Sequence, residues 1–490
     1  MIRIAVDMTP CVSGGANGGV LTATEEMLRG MSQWEGFEFV LITNHSNHEM
    51  LAHMDTDRMN RVNIDSDEHA VVSGSTPAVS KLGIIKRSFG NRAKLFSKAD
   101  LHILPRPIIR WLYRHKAGYY NLANALSHHA MRIVKPVIKA VIAYGIYRRF
   151  IVRRQHVEEV ARKYVAKEVI QTASGKSEQN QKCDLSALLG ARIDLLYCPF
   201  TAINFYDSRI PIVPVLNDIL HAYHPYFLPR NEVQHRIDHY DKINRIKPFI
   251  ISISEFARRT YIETYNYPEE RIVTIPLSVQ NRFDSHSEKQ CEQALDEMQL
   301  LNKLFILYPA NTWPHKNHEA LLIAFAMYTT ENPERNLILT LTGCDVGGNN
   351  RLSTIAEHMG IKERIRFLGY VSDIQLAALM RSCYYLIFPS LFEGFGIPLA
   401  EAMKADTTVL CSALASMPEV CGDCAFYFDP RDPADICKGM IYIDRHPEEV
   451  NAKKKRFPEQ LMKFDADESL SAYKKFFEEL TEKTGGASET

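Results

Sequence analysis

Short apolar segments alternate with helix-compatible segments along most of the chain. The opening residues predict a strand at 2–6, a glycine-rich loop at 13–19, a helix at 20–31 and a second strand at 37–43. This order is a βαβ unit, from which parallel sheets are built. The later segments with strand character are 195–198, 212–216, 249–254, 272–277, 304–308, 336–342, 365–368, 384–388, 407–411 and 425–428.

These strands fall into two groups, which predict an α/β protein with two doubly wound, Rossmann-like domains. We predict a first domain at 1–284, a second at 285–464, and a C-terminal helix and tail at 465–490. A helix-compatible insertion at about 65–185 interrupts the first domain, and the polar stretch 281–300 is interpreted as a linker. Because such sheets bind ligands at the carboxyl ends of their strands, the two domains should face each other across a cleft.

Composition is that of an ordinary globular protein, with 46% hydrophobic and 24% charged residues. No stretch has the roughly 18 uncharged apolar residues that a membrane-spanning helix requires, and the first residues lack a signal-peptide pattern. The ten cysteines are scattered, which favours a reducing compartment. Cys421 and Cys424 form a CxxC pair, but no second pair or histidine cluster accompanies it to complete a metal site. We therefore expect a cytoplasmic protein without a bound metal.

The most informative segment is FPSLFEGFGIPLAEA at 388–402. A buried strand ends at Phe388, a turn with Gly394 and Gly396 follows, and a helix is predicted to start near Pro398. Backbone N–H groups at a helix N-terminus form an anion site suited to a diphosphate. Glu393 and Glu401 flank this site, where carboxylates can accept hydrogen bonds from sugar hydroxyls. A purely electrostatic role for Glu401 near the helix N-terminus is the alternative.

This segment resembles the Glu-x7-Glu motif of the retaining, nucleotide-sugar-dependent glycosyltransferases of family 4, which have the GT-B fold. Four shorter motifs follow the same family order, namely NTWPHKN at 311–317, FLGYV at 367–371, SMPEV at 416–420 and FDP at 428–430. The resemblance covers most of the second half of the chain. It implies a fold of two Rossmann-like domains that bind a nucleotide sugar between them.

The resemblance also implies roles for individual residues. Glu393 would bind hydroxyls of the donor sugar, Glu401 would bind the ribose, and Lys316 would stabilise the departing diphosphate. The other implied donor-binding residues are Gly14, Gly15, Gly18 and Gly19 of the N-terminal loop, Ser254, His315, Gly394, Phe395, Gly396, Ile397, Pro398 and Leu399. For Ser254, helix capping is an equally good interpretation.

Three positions depart from the family pattern. Ala310 and His315 stand where basic residues are usual, and Asn217 stands where a histidine usually contacts the donor sugar. An asparagine cannot carry that charge or act as a base. We expect Asn217 to bind the sugar as part of the catalytic site, with His221 or His224 as possible substitutes for the missing histidine.

Net charge is zero, from 58 basic and 58 acidic residues, but its distribution is uneven. The segment 81–167 holds 20 basic and 3 acidic residues, a charge of +17, so the other 403 residues carry −17. Apolar stretches flanked by Arg and Lys within this segment are typical of helices that lie on an anionic membrane. Internal or oligomeric packing is the second interpretation, and nucleic-acid binding the least favoured.

The sequence therefore predicts a retaining glycosyltransferase at the cytoplasmic face of a membrane. It would transfer a hexose, with mannose and glucose as candidates, from a nucleotide sugar to a glycan or lipid-linked acceptor during surface polysaccharide or glycolipid synthesis. The alternative is a catalytically weakened subunit that binds a sugar nucleotide or a partner. No nucleic acid and no metal are expected as partners.

Membrane binding by the basic segment predicts a salt-sensitive association. The full-length protein should co-sediment with anionic vesicles, and binding should fall as salt is raised, because exposed charges are screened within about 10 Å at 0.1 M salt. Binding should also fall when residues 84–154 are deleted. Vesicle binding that is unaffected by added salt and by the deletion would contradict the membrane interpretation.

Overall fold

The computed structural model describes residues 1–11, 19–65, 183–278, 283 and 286–485. Gly14, Gly15 and Gly18 lie outside the described residues, and so does the predicted basic segment 81–167. Gly19 is the first residue of a helix.

The first unit is built on a seven-stranded parallel sheet. Its described strands are β1 (Ile2–Asp7), β2 (Phe37–Thr43), β3 (Met59–Asn63), β4 (Leu195–Cys198), β5 (Ile212–Leu216), β6 (Ile250–Ser252) and β7 (Ile272–Thr274), in the order β3-β2-β1-β4-β5-β6-β7. The accompanying α-helices are α1 (Gly19–Met31), α2 (Leu185–Leu189), α3 (Leu220–Tyr223), α4 (Arg230–Ile246) and α5 (Glu255–Tyr265). The order reverses between β1 and β4.

The second unit has a six-stranded parallel sheet of the same kind. Its described strands are β8 (Phe305–Pro309), β9 (Ile338–Thr342), β10 (Ile365–Gly369), β11 (Leu386–Phe388), β12 (Val409–Ser412) and β13 (Phe426–Phe428), in the order β10-β9-β8-β11-β12-β13. The described α-helices that follow β7 in the chain are α6 (Glu288–Glu297), α7 (His318–Glu331), α8 (Asn349–His358), α9 (Asp373–Ser382), α10 (Ile397–Lys404), α11 (Met417–Cys421), α12 (Pro433–Arg445), α13 (Pro447–Lys454), α14 (Phe457–Leu461) and α15 (Ala466–Gly485), of which α15 packs on the first unit.

Continuous apolar runs explain why these segments pair as central parallel strands. All residues of β4, β5, β11 and β12 are buried. A parallel sheet is covered by helices on both faces, so its strands are apolar at successive positions rather than alternating. The prediction of two parallel α/β units is confirmed, and the order reversal between β8 and β11 creates the crevice in which such sheets bind ligands.

The prediction of a linker at 281–300 is wrong for most of its length. Helix α6 begins after Ser287, whose hydroxyl accepts a hydrogen bond from the backbone of Gln290 while the Gln290 side chain bonds back to Ser287. This capping box stabilises the first turn. One apolar face, formed by Cys291, Ala294 and Leu295, is buried. In the sequence, these three small or medium-sized apolar residues are too few to be recognised as the buried face of a helix within such a polar stretch.

The C-terminal helix α15 returns to the first unit. Phe477 is fully buried, with its ring 5.5 Å from that of Tyr197 on β4 and 6.5 Å from that of Trp34. Tyr473, one turn earlier, packs edge-on against Tyr197 at 6.0 Å. The last helix of the chain therefore belongs to the core of the first sheet. Among the described residues, no helix combines the length and apolarity needed to cross a bilayer.

Packing of α15 predicts a specific stability loss. Phe477→Ala should lower the free energy of unfolding by about 3–5 kcal/mol, because it removes a buried ring and leaves a cavity. Lys475→Ala, at an exposed position of the same helix, is the matched control and should change it by less than about 0.5 kcal/mol. Equal effects of the two substitutions in urea denaturation would contradict the packing described.

Candidate functional site

Two loops at the order reversal of the second sheet carry the predicted donor-binding residues. One follows β8 and contains Lys316 in a 3₁₀ turn at Pro314–Lys316. The other follows β11 and contains Glu393. Because β8 and β11 are neighbours in the sheet, their carboxyl ends lie side by side, and these distant parts of the sequence meet.

Lys316 and Glu393 form an ion pair, with 2.6 Å between Nζ and Oε1. Their side chains are 17% and 12% exposed, so the pair is largely shielded but still reachable. The Lys316 ammonium also lies 5.7 Å from the centre of the Phe388 ring. A cation and a carboxylate at this spacing can bind an anionic group beside a hydroxyl-bearing one.

The backbone around Lys316 is fixed by two polar residues to which the sequence analysis gave no role. The buried Tyr308 hydroxyl donates to the Lys316 carbonyl at 2.7 Å and lies 3.2 Å from the Ser390 hydroxyl. Asn317 has a left-handed backbone with φ of 61°, which asparagine tolerates better than most residues. Its side-chain amide donates to the carbonyls of Pro389 and Pro430 at 3.1 and 2.7 Å. The two loops are therefore bonded to each other.

The loop after β11 leads directly into α10. Gly396 precedes the helix with φ of 100°, a conformation that favours glycine. Pro398 lies in the first turn, as predicted. The Leu399 N–H already bonds to the Gly396 carbonyl at 2.9 Å, so it is occupied within the turn. Phe395 and Ile397 are the other predicted donor-binding residues of this segment.

Glu401 lies one residue further into α10 than the sequence analysis placed it. The helix begins at Ile397 and has no acidic residue in its first turn. Glu401 is only 1% exposed. An electrostatic role near the helix N-terminus stays an alternative. Binding of a ribose by this carboxylate stays a prediction.

The first unit reaches this loop through Asn217 and Ser254. A side-chain carbon added to Gly394 would lie 1.8 Å from the Asn217 carbonyl oxygen, so only glycine permits this approach. The Asn217 amide donates to Thr201 at 3.3 Å. The Ser254 hydroxyl accepts from the Ala257 N–H and donates to the Gly394 carbonyl at 2.6 Å, so it caps α5 and also contacts the loop.

The two histidines considered as substitutes for Asn217 have different surroundings. His221 is fully buried, with its ring stacked 4.7 Å from Tyr240 and Nε2 at 2.8 Å from the Tyr265 hydroxyl. Burial lowers the pKa of His221 to about 3, which keeps it neutral in the core of the first unit. His224 instead lies with its ring 5.5 Å from that of Phe392, the residue before Glu393.

His315 is half-buried beside Lys316, and its carbonyl accepts the Leu391 N–H at 2.8 Å. Burial, helped by the Lys316 charge, lowers the pKa of His315 to about 3. The ring is therefore neutral near pH 7 and adds no positive charge where the family usually has a basic residue. Its role in donor binding stays a prediction.

Both thiols of the CxxC pair lie in surroundings that disfavour the reactive thiolate form. Cys421 and Cys424 are buried free thiols, and burial raises the pKa of both. A thiol held in its neutral form is a poor nucleophile and metal ligand. Among the described residues, no group of three or more His, Cys, Asp or Glu side chains is arranged to hold a metal ion.

Comparison with solved structures gives the fold. An Anabaena protein, HepE, in complex with UDP and glucose aligns with a TM-score of 0.59 and 14% identity, covering 98% of this chain and 100% of that one. A glycosyltransferase from Rickettsia africae aligns with a TM-score of 0.57 and 13% identity, covering 98% of both chains. The chain has the GT-B glycosyltransferase fold. The GT-B resemblance seen in the motifs is therefore confirmed for the fold.

Sequence comparison adds a family match in the half of the GT-B fold that holds Lys316 and Glu393. Residues 295–458 match the family model for glycosyl transferases group 1. The O-antigen chain mannosyltransferase B of Escherichia coli is 32% identical over 231 residues, which are 47% of this chain. The match spans 60% of that relative, less than two thirds of its length. Membership of family 4 in particular stays a prediction.

Buried neutral histidines in this GT-B site predict acid sensitivity. Burial lowers the pKa of His318 from 6.5 to about 4, so between these values the unfolded chain binds a proton that the folded chain does not. The free energy of unfolding should therefore fall as pH drops from 7 to 5. His318→Gln should remove about 1–2 kcal/mol of that decrease. If urea denaturation shows that the free energy of unfolding of His318→Gln falls with pH as steeply as that of wild type, the neutral state assigned to His318 is contradicted.

Proposed function

We propose that the protein is a retaining glycosyltransferase that transfers a hexose from a nucleotide sugar to a glycan or lipid-linked acceptor in surface polysaccharide synthesis. The observation that carries the proposal is the Lys316–Glu393 pair at the order reversal of the second sheet, next to Gly394, whose backbone contacts Asn217 and Ser254 of the first unit. A cation for the diphosphate and a carboxylate for the sugar therefore lie in one site, with 2.6 Å between them.

The chemistry requires stabilisation of a departing diphosphate. Breaking the bond between the sugar and the phosphate develops negative charge on the leaving group, and preorganised cations and N–H donors in a shielded site lower that barrier most. Lys316 supplies the cation, and its backbone is held by the Tyr308 hydroxyl. Glu393 binds sugar hydroxyls and orients the donor so that the acceptor attacks from the face that the diphosphate leaves.

Mannose is the sugar that we favour. An O-antigen mannosyltransferase is among the relatives, and its alignment covers 47% of this chain. HepE, a neighbour in fold, was solved with UDP and glucose, which supports a nucleotide sugar as the donor class. Surface polysaccharide synthesis follows from the O-antigen relative, and the acceptor is then a growing glycan or a lipid-linked one.

One observation favours a second candidate, a binding subunit with weakened catalysis. The Asn217 amide is engaged by Thr201 at 3.3 Å, and an amide cannot replace a charged histidine beside the donor. Such a subunit would bind nucleoside diphosphate but neither hydrolyse nor transfer a nucleotide sugar. Retaining transfer needs no base from the enzyme at this position, so we favour the transferase.

We also propose that segment 81–167 holds the enzyme on an anionic membrane at the cytoplasmic face. The support is its composition of 20 basic and 3 acidic residues. Each Lys or Arg close to an anionic leaflet contributes about 1 kcal/mol, so a fraction of the 20 would suffice. This placement would bring a lipid-linked acceptor to the enzyme.

Removal of the Glu393 carboxylate tests the proposed activity. The donor is first identified by a thermal-shift screen of common nucleotide sugars. Glu393→Ala should then reduce transfer at least about tenfold, equivalent to about 1.4 kcal/mol of transition-state stabilisation. Glu357→Ala is the matched control, because Glu357 is exposed on α8 and pairs with Lys362. Transfer at the wild-type rate by Glu393→Ala would refute the role of Glu393.

A further inference from the structure

Contacts between the two α/β units lie on both sides of Glu393. Phe392 and Gly394 contact the first unit, and the N-terminal end of α11, at 416–419, contacts it and also holds the backbone of the Glu393 loop. The residue that would bind the donor sugar is therefore flanked by interdomain contacts.

On the N-terminal side, Phe392 inserts into an aromatic group of the first unit. Its ring centre lies 5.5 Å from each of the rings of Tyr223, His224 and Phe256. Phe392 is 4% exposed, and it shares a buried cluster with Leu220, Phe227 and Leu391. Burying a ring of this size is a substantial hydrophobic contribution to contact between the units.

On the C-terminal side, the Gly394 backbone is held by the first unit. Its carbonyl accepts the Ser254 hydroxyl at 2.6 Å, and the Asn217 carbonyl lies where a side chain would otherwise stand. The Ser254 bond is buried. A buried carbonyl that loses its donor is left unsatisfied, which is costly.

A second set of bonds joins the Glu393 loop to α5 indirectly, through Ser416 and Glu419 of the α11 N-terminus. The two carboxylate oxygens of Glu419 accept the N–H groups of Glu255 and Phe256 at 2.7 and 2.9 Å. These N–H groups belong to the first turn of α5, where the helix dipole favours a negative charge. Three residues before Glu419, the Ser416 hydroxyl donates to the carbonyls of Glu393 and Phe395 at 3.0 and 2.8 Å.

We propose that Ser254 and Glu419 are positioning residues, which hold the Glu393 loop in its sugar-binding conformation through contact with the N-terminus of α5. The inference deepens the proposed function and rests on it, because it concerns the same donor site. The N-terminus of α5 is capped jointly, by Ser254 from its own unit and by Glu419 from the other. Contact between the units and the order of the Glu393 loop therefore depend on each other.

Because of this coupling, we expect the joint cap to affect turnover more than the affinity for the donor's diphosphate. Lys316 and the first turn of α10, which would bind the diphosphate, belong to the second unit and are not partners in the joint cap. Orientation of Glu393 needs both units. Weakening the joint cap should therefore lower kcat and leave the affinity for a nucleoside diphosphate nearly unchanged.

Ser254→Ala tests the proposal in two independent ways. Hydrogen exchange of the backbone amides at 391–396 in the ligand-free protein should become at least about fivefold faster, since opening of the loop costs less. In transfer assays, kcat should fall by about tenfold, with the Kd for GDP or UDP within about twofold of wild type. Ser254→Thr keeps the hydroxyl and should restore both. Glu419→Ala should reproduce the effects of Ser254→Ala.

Ser372→Ala is the matched control. Ser372 caps α9 within the second unit, by accepting the Gln375 N–H, so its loss should lower the unfolding temperature but leave exchange at 391–396 and kcat unchanged. If Ser254→Ala only lowers the unfolding temperature, as this control does, the positioning role is refuted. The exchange measurement needs no turnover. If no donor is transferred and exchange still responds, the proposed function fails while the positioning inference stands.

Discussion

The site depends on one constraint, the adjacency of β8 and β11 in the second sheet. Lys316 and Glu393 are 77 residues apart in sequence, yet their charged groups meet at 2.6 Å because the strand order reverses between these strands. The connections on either side of the reversal pass to opposite faces of the sheet, which leaves the crevice open. Hydrogen bonds from Tyr308 and Asn317 then fix the backbones of the two loops that carry Lys316 and Glu393.

The sequence was sufficient to predict the two parallel sheets, because apolar runs such as Ile212–Leu216 are buried on both faces and need no context to be recognised. It also placed Lys316 and Glu393 in one site, through motif order. The helix at Glu288–Glu297 was missed although Ser287 and Gln290 form a readable capping box. The many polar residues of this stretch indicated a linker more strongly than the capping box indicated a helix.

Contacts between the units could not be predicted from local pattern. Glu419 lies in a motif that was recognised without a role, and Phe392 is an ordinary apolar residue in the sequence. Their partners on α5 lie more than 130 residues away and depend on how two sheets dock. His221 shows the opposite problem, since its residue type suggested chemistry while its surroundings are those of a core aromatic ring.

The return of α15 to the first sheet means that the chain joins the two units twice, once between β7 and β8 and once before Ala466. One covalent connection alone would restrict the relative rotation of the units less than two connections do. The packing of Phe477 against Tyr197 therefore serves both the core of the first sheet and the second connection between the units.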